Sequence, residues 1–425
     1  MIVYLSFLIL LFFAMGIPVG FSIGLASLII LFFMNIPFFE MAKQMYVGIN
    51  SFPIVAVPLY ILAGELMAKG GTTDKLVDFA SIILGNIRGC LAHICVAASM
   101  FFAGISGSSI ADTAAIGSVM IPGMLKKGYS RGFTASLQAC AGSIGPIIPP
   151  SIPMVIFGML TDTSVGKLFI GGIIPGMMMG FSLMIVAYII NRRRGYVEKT
   201  GVPSFRTMLK ITKDASLALV TPVIIVGGIM SGDVTATESG VLAVVYALCL
   251  GIFVYRKLKF PAIFKALVET CLTTGTVIFI VASAMLFTWL MTINEIPQTM
   301  VSLLMSLTTS KWMVLLILNV LLLILGCLVD TLSLLIIFSP LFLKITSAYG
   351  IHPIHLGLIM VVNLTIGMCT PPFGVNLFVV VPLAKTSMEE ILHDLMLFLI
   401  PLFIVLFIIT YIPETVMFLP RLLMP

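Results

Sequence analysis

Apolar residues run along this chain in stretches long enough to cross a bilayer. They fall at about 3–33, 53–68, 76–105, 130–160, 166–190, 216–230, 236–255, 266–292, 312–329, 355–384 and 389–412. A hydrocarbon core of about 30 Å takes roughly 20 apolar residues per helical span. The pattern therefore predicts an all-α polytopic membrane protein. No Lys or Arg precedes Lys43 and no small-residue cleavage site follows the first stretch, so it reads as a retained span rather than a signal peptide. Two further stretches, at about 106–125 and 329–347, are too interrupted to be plain spans. They carry GISGSSIADTAAIGSVMIP and GCLVDTLSLLIIFSP, and both read as re-entrant hairpins.

The two hairpins share more than length. Asp112 and Asp330, each followed by Thr, stand 218 residues apart, and so do Pro122 and Pro340. Each hairpin precedes an apolar helix broken by Gly-x-x-x-Pro-Pro, as GPIIPPS at 145–151 and GMCTPPF at 367–373. The same order in both halves is an internal duplication: a first repeat over 1–190, a second over 215–425, and between them the basic loop 191–214. Arg192, Arg193, Arg194, Lys199, Arg206, Lys210 and Lys213 place that loop on the cytoplasmic side by the positive-inside rule.

Inverted repeats need an odd number of spans per half. Yet Arg256, Lys257, Lys259 and Lys265 also favour the cytoplasm, which makes the count even. Two arrangements stay open. Either 216–255 forms one long kinked unit matching 3–33, or the second basic stretch departs from the rule.

Composition agrees with a membrane protein: 60% hydrophobic, 9% charged, mean hydropathy +1.20. The net charge of +6 sits in short loops, so it signals topology and not a nucleic-acid partner. The seven cysteines lie scattered through apolar stretches without metal-ligand spacing and read as small core residues.

Irregular backbone at bilayer depth is tolerated only where it is buried in protein or lines a wet cavity. Glycine lets the helix unwind, and proline frees the carbonyl one turn earlier. Each break therefore presents carbonyl oxygens, which with nearby hydroxyls suit a dehydrated Na⁺. Ser106, Ser108, Ser109 and Thr113 supply hydroxyls in the first half, and Thr331, Ser333 and Thr370 in the second. Asp112 and Asp330 are costly acids at depth and so functional candidates.

One rival is an intramembrane serine protease built on GISG at 104–107 with Ser106 as nucleophile. That chemistry needs a general base, for which His93 is the one plausible histidine. A passive channel is the other rival. No GxxxxGK[ST] is present to bind a nucleotide for a primary pump.

Taken together, GSSIADTAAIG at 107–117 with GPIIPPS, and CLVDTL at 327–332 with GMCTPPFGVNLF at 367–378, resemble the large membrane subunit of tripartite ATP-independent periplasmic (TRAP) transporters, the DctM type. The likeness covers nearly the whole chain, including TATESG at 235–240. It implies an elevator-type secondary transporter of two inverted repeats, and no enzyme. It further implies Na⁺ as coupling ion with no organic cofactor, a location in the bacterial inner membrane, a small four-helix membrane subunit, and a periplasmic substrate-binding protein. By motif, the first Na⁺ site falls on Ser106, Ser108, Ser109, Gly145, Ile148 and Pro149. The second falls on Gly326, Asp330, Gly367, Thr370 and Pro372. Asp112, Thr113, Pro150, Ser151, Thr331 and Asn376 are the substrate candidates. The implied substrate is a carboxylated organic acid of the sialic acid or C4-dicarboxylate class.

Overall fold

The computed structural model describes residues 2–199 and 204–424; residues 200–203 of the predicted basic loop lie outside that description. Among the described residues all regular structure is helical, with no strand. Six helices are long and apolar enough to cross a membrane, or up to eight if each of two sharply bent pairs is one span.

The first repeat opens with α1 (Ile2–Ala14) and α2 (Val19–Phe33), which pack against each other. The apolar run 3–33 is thus two helices. Gly16 turns the chain at φ +77°, and Pro18 has no amide to extend the first helix. Then follow α3 (Phe38–Ile49), α4 (Ala56–Lys69) and α5 (Thr72–Leu84). Next, α6 (Cys90–Ser106) and α7 (Ser109–Lys126) pack on each other across a two-residue tip, Gly107 and Ser108. The segment 106–125 is the second arm of this hairpin; its first arm comes from the run 76–105, which α5 and α6 divide. The broken helix is α8 (Arg131–Gly142) and α9 (Ile152–Thr161), and α10 (Val165–Arg194) closes the repeat.

The second repeat has α11 (Phe205–Ser231), α12 (Ala236–Cys249), α13 (Phe260–Ile293) and α14 (Ile296–Leu307). Its hairpin is α15 (Lys311–Gly326) with α16 (Thr331–Ala348), and its broken helix is α17 (Pro353–Gly367) with α18 (Val375–Ala384). The long α19 (Met388–Tyr411) and the short α20 (Glu414–Leu423) end it. The halves match in detail. Both second hairpin arms have 18 residues, both second half-helices have 10, and the Pro149–Pro150 and Pro371–Pro372 bonds are both cis. Packing is reciprocal as well: α7 rests on α18 while α16 rests on α9, and α8 rests on α19 while α17 rests on α10. Such an exchange is what a two-fold relation between the repeats requires.

That relation inverts the chain direction. Arg194, at the end of α10, forks onto Asp394 near the head of α19 and donates to Ser130 Oγ at the head of α8. Helix α8 therefore starts on the face where α10 ends. From Asp394, α19 runs roughly 22 Å at 1.5 Å per residue to Ile409. There the Ile409 carbonyl meets His355 Nε2, at the head of α17, at 2.9 Å. Helix α17 therefore starts on the opposite face from α8, its counterpart.

The span-parity conflict has a structural answer. Residues 216–255 form α11 and α12, which run out and back, so that Tyr255 Oη donates to the Asp214 carbonyl at 2.6 Å. Lys257 and Lys75, in turn, pair with Asp74 and Asp214 at 2.7 and 2.8 Å. Both basic stretches thus share one side, neither open arrangement is adopted, and α1–α2 is the matching pair in the first half.

Candidate functional site

Each hairpin tip is seated on the break of its own repeat. A methyl group on Gly145 would lie 2.7 Å from the Ser108 carbonyl oxygen, and one on Gly107 would lie 2.7 Å from that of Pro150. Gly107 also has φ +59°, so glycine is needed there twice over. In the second repeat a methyl on Gly367 would lie 2.7 Å from the Gly326 carbonyl carbon, and the Gly374 amide donates to the Cys327 carbonyl at 3.3 Å.

These junctions leave carbonyls free. Among the described residues the carbonyls of Ser106, Gly145, Ile148, Pro149 and Pro150 accept no hydrogen bond, nor do those of Gly326, Thr370 and Pro372, whereas Gly367 accepts from the Thr370 amide. Ser106, Gly145, Pro149, Pro150 and Gly326 are buried. A buried carbonyl without a donor costs several kcal/mol in a bilayer, so these oxygens suit a bare cation. The junctions differ in cover: the first is almost wholly buried, while Pro372 and Phe373 of the second are exposed.

The structure also changes the register read from the sequence. The 218-residue offset paired Asp112 with Asp330 and Ser108 with Gly326. Instead, Ser108 and Asp330 are both N-caps: the Ala111 amide donates to Ser108 Oγ at 3.4 Å, and the Ser333 amide to Asp330 Oδ2 at 3.0 Å. Ser106 and Gly326 are the matching ends of α6 and α15. Asp112 lies one turn inside α7, fully buried against Cys95 and Ser99. Thr113, beside it, is packed on Gly142.

The two tips face one cleft of about 80 Å³, lined by Ser108, Ser109 and Ile110 from one and Asp330, Thr331 and Leu332 from the other. Pro146, Ile152, Pro153 and Met368 complete it. The cleft therefore receives the N-termini of α7 and α16, whose leading amides at Ser109, Ile110, Thr331 and Leu332 have no acceptor among the described residues, so that they and the aligned dipoles favour an anion. At the head of α9, Ile152 N–H goes to the Gly107 carbonyl, Pro153 has none and Met154 N–H goes to Ser151 Oγ. Of the substrate candidates, only Thr331 lines the cleft; Ser151 caps α9 beside it, donating to the Pro146 carbonyl and accepting from the Met154 amide at 3.3 Å. Asp112, Thr113 and Pro150 are turned away. Asn376, at the head of α18, holds Ser109 Oγ at 2.7 Å and the Ala139 carbonyl at 3.1 Å.

Ser106 has no base at hand. His93 stands 13 residues earlier on the same helix, roughly 20 Å away by helical rise, with its ring beside Tyr188. Glu238 forms a capping box with Thr235, and Glu65 pairs with Lys69 at 2.5 Å. A polar pair missed in the sequence joins α15 to α17: Asn363 Nδ2 donates to Asn319 Oδ1 at 2.7 Å.

Residues 6–415 match the model of the family described as tripartite ATP-independent periplasmic transporter, DctM component. The chain belongs to the DctM family. A DctM-type relative, the C4-dicarboxylate TRAP transporter large permease of Pseudomonas aeruginosa, is 40% identical over 94% of each chain. The sialic acid TRAP transporter large permease SiaM of Vibrio cholerae is 38% identical over 96% of this chain and 95% of that one. The isethionate TRAP transporter permease DctMQ of Oleidesulfovibrio alaskensis is 40% identical over 96% of this chain, which spans 64% of its length. These relatives are transporter permeases and not enzymes, which disposes of the protease reading. Among solved structures, the YdaH transporter of Alcanivorax borkumensis shares the fold at a TM-score of 0.62 and 14% identity, covering 88% of this chain and 87% of that one. MtrF of Neisseria gonorrhoeae does so at 0.57 and 12%, covering 87% and 84%.

Proposed function

We propose that this DctM-family chain imports an organic acid across the bacterial inner membrane by Na⁺ symport. The observation that carries the reading is the cleft on which the N-termini of α7 and α16 converge, flanked by two junctions of donorless carbonyls. The cleft meets the substrate's carboxylate, and the junctions each hold a Na⁺. The cleft's volume of about 80 Å³ admits a carboxylate but not a sugar acid, so the tips part to load a larger substrate. Relatives named for sialic acid, C4-dicarboxylates and isethionate all point to a small organic anion. Membership of the family supports a small four-helix membrane subunit and a periplasmic binding protein as partners. The positive-inside rule makes the side of Arg194 and Lys257 cytoplasmic.

An elevator movement is supported by the levels of the two parts. A methyl on Gly64 of α4 would lie 3.3 Å from Ser106 Cα, so the first tip sits roughly 7 Å by helical rise from Lys69 at the end of α4. The base of the same hairpin lies a further 17-residue helix away, roughly 25 Å toward the basic side. The hairpin thus projects past α4 toward the cytoplasm, as in a transporter whose moving part is down.

The test is uptake into proteoliposomes by the chain with its small subunit and binding protein. Transport is expected only with an inward Na⁺ gradient and with more than one Na⁺ per substrate. Equal uptake with K⁺ on both sides overturns the reading.

A further inference from the structure

On the face away from the Arg194 side, a groove runs between α14 and the base of the second hairpin. Its outer part, about 390 Å³, is lined by Met305, Lys311, Ala348 and Tyr349. Beside it lies a second part of about 320 Å³, which shares Met305 and Ala348 and adds Ser302, Gln298 and Lys344. Beyond Lys344 it pinches to a crease of only about 10 Å³ between α13 and α16, along Thr288, Met291, Ile337 and Leu341.

Two features fix the chemistry. Among the described residues Lys311 and Lys344 make no ion pair, although Glu295 stands exposed at the head of α14; the Lys311 ammonium rests over the Trp312 ring at 4.5 Å. The outer mouth also lies in an aromatic belt. Tyr349 Oη donates to the Thr308 carbonyl at 3.0 Å, and Tyr411 Oη to that of Trp312 at 3.3 Å, with the Trp312 and Tyr411 rings 5.6 Å apart. Such a belt marks the headgroup level. Lys344 stands one turn deeper on α16, where a lysine reaches back toward the interface. The rim, with Met305, Leu307 and Met313 exposed, is apolar.

We infer that this groove binds an anionic phospholipid. Its phosphate is held by Lys311 and Lys344 with the Ser302 and Tyr349 hydroxyls near, and its acyl chains lie over the exposed apolar rim of Met305, Leu307 and Met313. A soluble acid has no use for an exposed apolar rim, and an uncharged lipid has no use for two ammonium groups without a carboxylate partner. The ligand bridges α14 to the moving hairpin and so sits where it bears on the rate of transport.

The experiment is native mass spectrometry of the purified complex, titrated with phosphatidylglycerol or phosphatidylcholine, for wild type and the K311Q/K344Q double variant. Wild type is expected to retain phosphatidylglycerol in preference. The double variant should lose affinity about thirty-fold, the effect of two lysines at a lipid surface. Met305→Gln, which makes the apolar rim polar and keeps both charges, should weaken binding of both lipids. Equal retention of the two lipids by wild type overturns the inference, as does unchanged phosphatidylglycerol binding in the double variant. So does a crosslink from Lys344→Cys to the small subunit, which would show a protein helix in the groove, or protection of the groove by the transported acid.

Discussion

Asn376 Nδ2 donates to Ser109 Oγ at 2.7 Å although 267 positions separate the two in the chain. The bond ties the head of the second repeat's half-helix to the first repeat's hairpin tip, and both residues are buried. Asn376 has three acceptors within reach: Ser109 Oγ, the Ala139 carbonyl and Cys369 Sγ. Asn376→Ala leaves the buried Ser109 hydroxyl without its partner, at about 1–3 kcal/mol, and the Ala139 carbonyl with only the Cys369 thiol as donor. It is expected to lower the melting temperature in detergent and also to weaken Na⁺ dependence, because Ser109 loses its orientation. Asn376→Ala with normal half-saturating Na⁺ would separate the bond from the ion site.

The next prediction distinguishes the two junctions. Ser106→Ala removes a hydroxyl where its counterpart Gly326 has none, so only the first site should lose affinity for Na⁺. Thr370→Ala removes a hydroxyl whose counterpart is Ile148, so only the second should. Thr370 Oγ1 donates to the Ile366 carbonyl at 2.9 Å, which leaves its lone pairs directed elsewhere. Each loss is expected to be about 5- to 150-fold, the equivalent of about 1–3 kcal/mol. Uptake against Na⁺ concentration for the two single variants and the double is the measurement. Identical curves for all four proteins would make both hydroxyls structural.

That choice of residues depended on the structure. The duplication, the hairpins and the Gly-x-x-x-Pro-Pro breaks were legible because glycine and proline act through local backbone rules that hold in any context. Register was less so. The shared Asp-Thr suggested an offset of 218, but the second tip holds four residues, 327–330, against two in the first, and helix boundaries after the tips are 222 apart. The preference of Ser and Asp for N-cap positions was the available signal that Ser108 and Asp330 correspond. The splitting of 3–33 at Gly16 and Pro18 was equally readable. The pairing of Asn376 with Ser109, and of Asn319 with Asn363, was not: the first arises only where the repeats exchange helices, and the second only where α15 packs on α17.

Glycines at the junctions offer a steric test. Gly145→Ala and Gly367→Ala each place a methyl 2.7 Å from backbone atoms of the opposed tip, a distance that forces tip and break apart. Both are expected to abolish Na⁺-driven uptake. Gly123, in α7 with open space around it, is the control. There Ala should leave uptake intact and stabilise the helix by up to about 1 kcal/mol. Normal uptake by Gly145→Ala would show that the first tip is not clamped on its break.

The Arg194–Asp394 pair, which fixes the facing of α8, α10 and α19, yields an asymmetric prediction. The guanidinium grips both carboxylate oxygens, one at 2.9 Å, and its carbon stands 5.8 Å over the Phe133 ring. Asp394 is only 7% exposed, while Arg194 is 30% exposed. Arg194→Ala therefore strands a carboxylate that water barely reaches, and removing one partner of such a pair costs about 3–5 kcal/mol. Asp394→Asn leaves a guanidinium that water can solvate and an amide that still accepts a bond, so it should cost clearly less. The double variant removes the stranded charge and is expected to recover part of the Arg194→Ala loss, a non-additivity that contacting residues show. Melting temperatures by size-exclusion chromatography after heating would rank the four proteins. A double variant no more stable than Arg194→Ala would mean that the lost attraction to Arg194, and not the stranded charge on Asp394, sets the cost.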